Sequence, residues 1–324
     1  MFSSEQNAEE CDATGFHSSN AARLIIRSAH DALDQCHKNC KSKAWVLDVD
    51  IKGFFDNISH SIMLEIVQQH TQEKWVLMYV ERWLKAGVEQ QDGSIAARAK
   101  GTPQGGVISP LLANIYLHHG FDMWMDKENP QCPFEGYADD IVVHCSSKEE
   151  AEEVLEKLKA RMWEYELTLH PDKTKIVYCR NGERGGNSEN ESFTFLSYSF
   201  QPRAKQDRIW GRKMFVEFSG AISNAAKTLI RKAIRGVMLP GWSDQTLEWF
   251  AKKLNPKIRG WVNYCTRYNR REALGVFNYL NELIRKWIGN KYKLQSHESV
   301  YIKYKQIQAE HAELFYQWKP GIKL

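Results

Sequence analysis

The chain has 324 residues, 43% of them hydrophobic and 12% aromatic, enough to bury a sizeable core in two domains. Its formal net charge of +4 hides an asymmetry: residues 201–324 hold 24 Lys and Arg against nine Asp and Glu, a surplus of fifteen, whereas residues 1–200 are acidic by eleven. No apolar run is long enough to span a membrane, no signal peptide opens the chain, and seven scattered Cys without a Cys-x2-Cys pair argue against disulfides or structural zinc and for a reducing cytoplasm.

Residues 1–26 are polar and without period, and read as a disordered or truncated head. Leu24, Ile25, Ala29, Ala32 and Leu33 share a face, which predicts a helix over 21–40. "AWVLDVDI" (44–51) alternates and is β-rich, so it reads as a buried strand with Asp48 and Asp50 on one face. Helices follow over 59–70, opened by a capping Ser59, and over 71–87, ended by Gly87. A Gly-bearing hairpin and loop fill 88–106, and a helix runs over 109–126 with Ser109 as cap and Pro110 at its first position. His118 and His119 lack matching ligand spacing and read as surface residues. "GYADDIVVHC" (136–145) sets Asp139 and Asp140 at a hairpin, and a charged helix covers 147–167. Strands near 174–179 and 193–200 flank a turn over 180–192. From about 220 the pattern is helical, with breaks at Pro240-Gly241 and at Pro256. The expected fold class is α+β: an antiparallel sheet with helices, then an all-helical domain.

Adjacent carboxylates repel, and each loses hydration if buried unpaired. A solvated hairpin tip accommodates Asp139 and Asp140, and so does a divalent-metal site. Asp50, at a strand end, supplies a second carboxylate centre. Two hard cations held about 3.5–4 Å apart by such groups can activate a 3′-hydroxyl and steady a leaving pyrophosphate. In "KGTPQGG", Gly101, Pro103, Gly105 and Gly106 allow close backbone approach to a ligand, with Gln104 placed to hydrogen-bond it. Farther on, Lys227, Arg231, Arg235, Arg259, Arg267, Arg270 and Arg271 interleave with Trp and Tyr, a pattern suited to phosphates and exposed bases.

In this order, "DVDIKGFFDNISH", "GTPQGGVISPLLANIYLHHGFD", "YADDIVVHC", "LTLHPDKTKIVYC" and "FTFLSYSFQPR" resemble the reverse transcriptases. With "LNPKIRGWVNYCTRYN", they resemble specifically the group II intron-encoded reverse transcriptase/maturases, over roughly residues 27–295. The resemblance implies a right-hand polymerase palm with partial fingers over 27–210 and a helical thumb/maturase RNA-binding domain over 211–324. It implies Asp50, Asp139 and Asp140 as catalytic ligands of two Mg²⁺ ions, and Phe55 as an aromatic gate selecting dNTPs. Gln104 and either Lys173 or Lys175 would serve the incoming nucleotide. Phe195, Leu196 and Tyr198 fall on the primer grip, with Ser197 where the family usually has Gly. The implied partners are an RNA template, a DNA or RNA primer, dNTPs and structured intron RNA, with dimerisation left open. Ahead of the first motif the likeness is good only at "RSAHDAL" (27–33), so the alternative is a catalytically impaired, RNA-binding splicing cofactor with incomplete fingers. A two-metal nuclease is weaker, because the Phe gate and Gln loop have no role in one. The sequence lacks the motifs of a DNA endonuclease module.

Overall fold

The alternating segment around Asp48 becomes the interior of the principal sheet. In the computed structural model, which describes residues 28–89, 93–96, 98–103, 105–185, 188–206, 214–238, 244–319 and 322, helix α1 (Ala29–Ser42) leads into strand β1 (Trp45–Val49). The expected head and the Pro240-Gly241 break lie outside the described residues. A capping box starts α1: Ser28 Oγ accepts the Asp31 N–H, while the Asp31 carboxylate accepts the Ser28 N–H at 2.8 Å. Then come α2 (Phe54–Asn57), α3 (His60–His70), α4 (Lys74–Lys85) and a small hairpin of β2 (Val88–Glu89) and β3 (Ile95–Ala96). Helix α5 (Ser109–Leu117) passes through a π-helical turn, His118–Asp122, into α6 (Met123–Glu128). Strands β4 (Phe134–Tyr137) and β5 (Asp140–Cys145), helix α7 (Lys148–Glu164) and strand β6 (Lys175–Tyr178) complete the first region. The sheet order is β4-β5-β1-β6, and β1 runs antiparallel to both neighbours.

Period-two alternation sorts the faces of this sheet. Leu47, Val49, Ile141, Val143 and Cys145 join Met63, Leu84, Leu112, Tyr116, Phe121 and Leu158 in one apolar core. Each such buried side chain contributes on the order of 1.5–3 kcal/mol. The other face carries Val46, Asp48 and His144, and α1 packs beside β4 and β5.

The chain divides into two compact units, Met1–Leu196 with Lys205–Val216 and Ser197–Ala204 with Glu217–Leu324. The division follows β7 (Phe193–Phe195) and runs through β8 (Tyr198–Gln206) and β9 (Met214–Ile222). The second unit is therefore not purely helical: strand residues precede α8 (Asn224–Met238), α9 (Leu247–Cys265), α10 (Arg270–Lys291) and α11 (His297–Glu310). Its core gathers Ile234, Phe250, Leu254, Phe277, Leu280, Ile284 and Phe315.

Tertiary context overrides several local signals. Pro256 lies inside α9 and does not end it. An interior Pro costs about 3 kcal/mol, and the fully buried Leu254 and Ile258 on either side offset it. Ser59 stands at the N-cap of α3 as expected but makes no side-chain cap, and Ser109 lies one residue inside α5, whose N-cap is Ile108. Instead Ser59 donates to Glu166 Oε1 at 3.1 Å, and Ser109, itself the first helical residue, donates to the Pro103 carbonyl at 2.7 Å. His118 is buried, 3.3 Å from Asp122, and His119 Nε2 lies 2.8 Å from His70 Nε2, so neither is the plain surface residue expected.

Candidate functional site

Register assembles the site. Val49 pairs with Ile141, so the next residue, Asp50, falls opposite Asp140 and their side chains share a face. Asp48, two residues back, shares that face and is flanked on its other side by Lys175. Asp50 is held at the strand end by its backbone: its carbonyl accepts the His170 N–H at 2.7 Å and the Thr174 hydroxyl at 3.3 Å. Asp139 stands exposed in the two-residue turn between β4 and β5, after Ala138 at φ 54°.

The face is rich in negative charge. Lys173 Nζ is 3.3 Å from Asp50 Oδ2, and Lys175 Nζ is 3.9 Å from Asp48 Oδ2. Burial pushes the Asp48 carboxyl up to about 7; Lys175 opposes the rise, and Asp140 and Asp50 add to it. Asp140 is also raised, first by burial and then by Asp139 and Asp50, against a hydrogen bond from the Leu196 backbone. Burial and neighbouring carboxylates both disfavour the charged forms here, and a bound cation would favour them. Hard oxygen donors suit hard divalent cations, so the donor set fits a metal of that class. Among the described residues, no three of these aspartates bring oxygens within 4.8 Å of one another: they line a face and do not close a nest.

A second element frames the face. Phe55, in α2, is half-buried, and its carbonyl accepts the Thr102 N–H at 2.7 Å. Gly101 donates to the Ile58 carbonyl at 2.7 Å, and His60 Nε2 lies 2.8 Å from the Gly101 carbonyl. A Cβ on Gly101 would sit 2.6 Å from the Phe55 carbonyl oxygen, and its φ is +78°. Only glycine allows this approach, which staples the loop to the helical turn bearing Phe55. Gln104 lies outside the described residues.

The remaining predicted residues separate by environment. Phe195 and Tyr198 are core side chains, and Tyr198 donates its hydroxyl to the Tyr264 carbonyl. Leu196 and Ser197 form a turn with φ of 47° and 64°, and the Leu196 backbone reaches Asp140. In the second unit, Arg235, Arg259, Arg267, Arg270 and Arg271 are exposed. Arg231 lies 5.9 Å from the Tyr279 ring centroid, and Lys227 is paired to Glu272 at 2.5 Å. Alternation had already set Asp48 beside Asp50, but nothing local marked it as part of the charged face; the pairing with β5 and β6 does.

A reverse transcriptase (RNA-dependent DNA polymerase) family profile matches residues 13–200, and a group II intron maturase-specific domain profile matches residues 227–305. Group II intron-encoded protein LtrA of Lactococcus lactis subsp. cremoris is 35% identical over 111 residues, covering 32% of this chain and 18% of that protein. Protein YkfC of Escherichia coli (strain K12) is 28% identical over 200 residues, covering 52% of each. A 91 kDa protein in the cob intron of Schizosaccharomyces pombe is 22% identical over 350 residues, covering 86% of this chain and 42% of that one. The chain thus spans 18%, 52% and 42% of these relatives. Among solved structures, telomerase from Candida albicans in complex with a TWJ fragment of telomeric RNA superposes with a TM-score of 0.47 at 13% identity, over 88% of this chain and 54% of that one. Among the described residues no helix is long and apolar enough to cross a membrane.

Proposed function

The chain belongs to the reverse transcriptase family, and from that premise we propose that it is an RNA-directed DNA polymerase of group II intron type, which extends a primer 3′-OH with dNTPs and binds structured intron RNA. The observation that carries this reading is the meeting of Asp50 and Asp140 on one face at the end of the sheet. Residues 27–210 are assigned to partial fingers and palm, and 211–324 to the thumb/maturase domain. The six described cysteines are free and buried, which supports a reducing, cytoplasmic setting.

Asp50, Asp140 and the adjacent Asp139 would hold two Mg²⁺ ions, which when bound lower the pKa of the 3′-hydroxyl and offset charge on the leaving pyrophosphate. The chain's own residues set the geometry. β1 and β5 fix the carboxylates through their register, and the Leu196 backbone orients Asp140. Phe55, stapled by the Gly101 loop, presents an apolar ring where a ribose 2′-OH would have to fit. Lys173, already beside Asp50, can shift to a pyrophosphate oxygen as negative charge develops there. Gln104 is assigned to the incoming nucleotide and template, and the turn after Phe195 to the primer.

Primer extension on poly(rA)/oligo(dT) with Mg²⁺ and dTTP tests the proposal, with Asp139→Ala and Asp140→Asn beside the wild type and rUTP as the gate control. Extension specific for dTTP and lost in both variants is the expected result. Wild-type protein that binds RNA in a salt-sensitive way yet extends nothing would replace this reading with that of a splicing cofactor.

A further inference from the structure

Farther along the sheet face that carries the aspartates, α1 and the sheet bury a second group of metal-type ligands. Cys36 and Cys40 are four apart on α1, so both thiols lie on the same helix face, and they are 0% and 1% exposed. His144, on β5, is fully buried against them, with Nδ1 4.0 Å from Cys40 Sγ. One donor atom from each of Cys36, Cys40 and His144 lies within 4.8 Å of the others. A fourth thiol, Cys179 just past β6, is fully buried and hydrogen-bonds to Cys40. The Cys36-x3-Cys40 spacing, unremarkable in the sequence, thus acquires two partners 104 to 143 residues away.

The surroundings of His144 are those of a ligand. Its Nε2 sits 2.5 Å from Glu135 Oε2, and Glu135 Oε1 accepts from Asn39 Nδ2 at 2.5 Å. A carboxylate can only accept here, so Nε2 carries a proton. Burial opposes a charged ring, yet Glu135 overrides it, raises the pKa to about 10 and holds the metal-free ring protonated. Nδ1, which points at the thiols, becomes a free lone pair once it gives up its proton. A carboxylate that fixes tautomer and ring direction through the far nitrogen is the usual support of a metal-bound histidine. Among four-coordinate sites, a Cys and His set of this kind selects Zn²⁺.

We propose that Cys36, Cys40, His144 and Cys179 form a buried structural Zn²⁺ site that ties α1 to β5 and to the end of β6, on the same sheet face as the aspartates but farther from the hairpin, at the level of Val46 and His144. Zn–S bonds of about 2.3 Å in a tetrahedron put ligand atoms roughly 3.8 Å apart, so inward shifts of about 1 Å bring Cys36, Cys40 and His144 to that spacing, and Cys179, outside their 4.8 Å set but hydrogen-bonded to Cys40, closes in as the fourth. On binding Zn²⁺, the coordinating thiols and the Nδ1 of His144 release their protons to solvent, and His144 binds as the neutral ring with Nε2–H still on Glu135. The second thiol pair, Cys132 and Cys145 at 4.0 Å, lies on the opposite face and with Glu150 forms another close donor group, one without histidine, so Cys132→Ser tells the two groups apart.

The test uses the full chain, purified reduced and without chelator, and measures bound metal by mass spectrometry and X-ray absorption. One zinc per chain, with sulfur and a light imidazole atom in its shell, is expected. Replacing it with Co²⁺ should give thiolate-to-cobalt charge-transfer absorption. Cys36→Ser and Cys179→Ser should lose the metal and the absorption, while Cys132→Ser keeps both. Should the variants fail to fold, the imidazole signature in the wild-type X-ray absorption spectrum still decides, because the Cys132, Cys145 and Glu150 group has no histidine. A folded wild type that carries no zinc and gives no thiolate–cobalt absorption on adding Co²⁺ would overturn the site and leave these thiols as small apolar core residues.

Discussion

Asp48 carries the electrostatic cost of the site. Its carboxyl is raised from 3.8 to about 7, with burial as the main cause. A raised carboxylate pKa means that the folded state holds a proton the unfolded chain has already lost. Its penalty is therefore absent below about pH 4, grows between pH 4 and 7, and is fully present above 7. With the side chain 20% exposed, the full penalty is on the order of 2–4 kcal/mol. Without divalent cation, Asp48→Asn should be more stable than the wild type at pH 8 by about that amount and nearly equal to it at pH 4. Urea unfolding at the two pH values reads the difference, and a gap that does not change with pH would show that Asp48 is not the titrating group. The Phe55 ring makes a different demand, one of shape. With Phe55 as the proposed gate, Phe55→Ala should open room for a 2′-OH, and rUTP use relative to dTTP should rise about 10- to 200-fold. Unchanged discrimination would remove Phe55 from the gate.

Backbone contacts join the elements of the site, and these were less legible in the sequence than the elements themselves. The alternation at 44–51, the helix over 147–167 and the Asp-Asp hairpin could each be read because period and turn chemistry are local. Ser59 and Ser109 misled as caps because distant partners, Glu166 and the 102–103 loop, claim their hydroxyls. Pro256 misled because burial around it is invisible to a local rule. The glycines of the 101–106 loop were read as permitting approach to a ligand, yet Gly101 approaches the chain itself. Gly101→Ala should therefore cost at least about 2 kcal/mol, from a left-handed φ plus a backbone clash. Gly105, also at positive φ but with open space around its Cβ position, should cost less on the same change. Chemical denaturation ranks the two, and equal losses would mean that the staple is not the cause. In the turn after Phe195, Ser197 at φ 64° predicts the opposite sign. Ser197→Gly relieves the left-handed backbone and should stabilise by about 0.5–1 kcal/mol, the strain relief exceeding glycine's extra unfolded-state entropy.

Charge is divided along the whole molecule, and the division matches the two tasks proposed for it. Residues 1–200 are acidic by eleven, as a region offering carboxylates to cations can be, while residues 201–324 carry a surplus of fifteen positive charges. Such a surplus draws RNA by releasing counterions, so affinity should fall steeply with salt. Not every base in the second unit contributes equally. Arg235 and Arg259 are exposed on α8 and α9. Lys227, by contrast, has a side chain only 12% exposed and is paired, with Arg203, to Glu272. Contact with about five phosphates gives a slope of log K against log salt of about −4, and each arginine removed lowers its magnitude by roughly one. Arg235→Ala and Arg259→Ala should each show that loss with the fold intact. Lys227→Ala should instead lower thermal stability, because Glu272 loses its closest cation, and leave the salt slope near the wild-type value. A slope that falls equally in all three variants would mean that Lys227 leaves Glu272 to meet the RNA, and that the pairing is a resting state of the unbound chain.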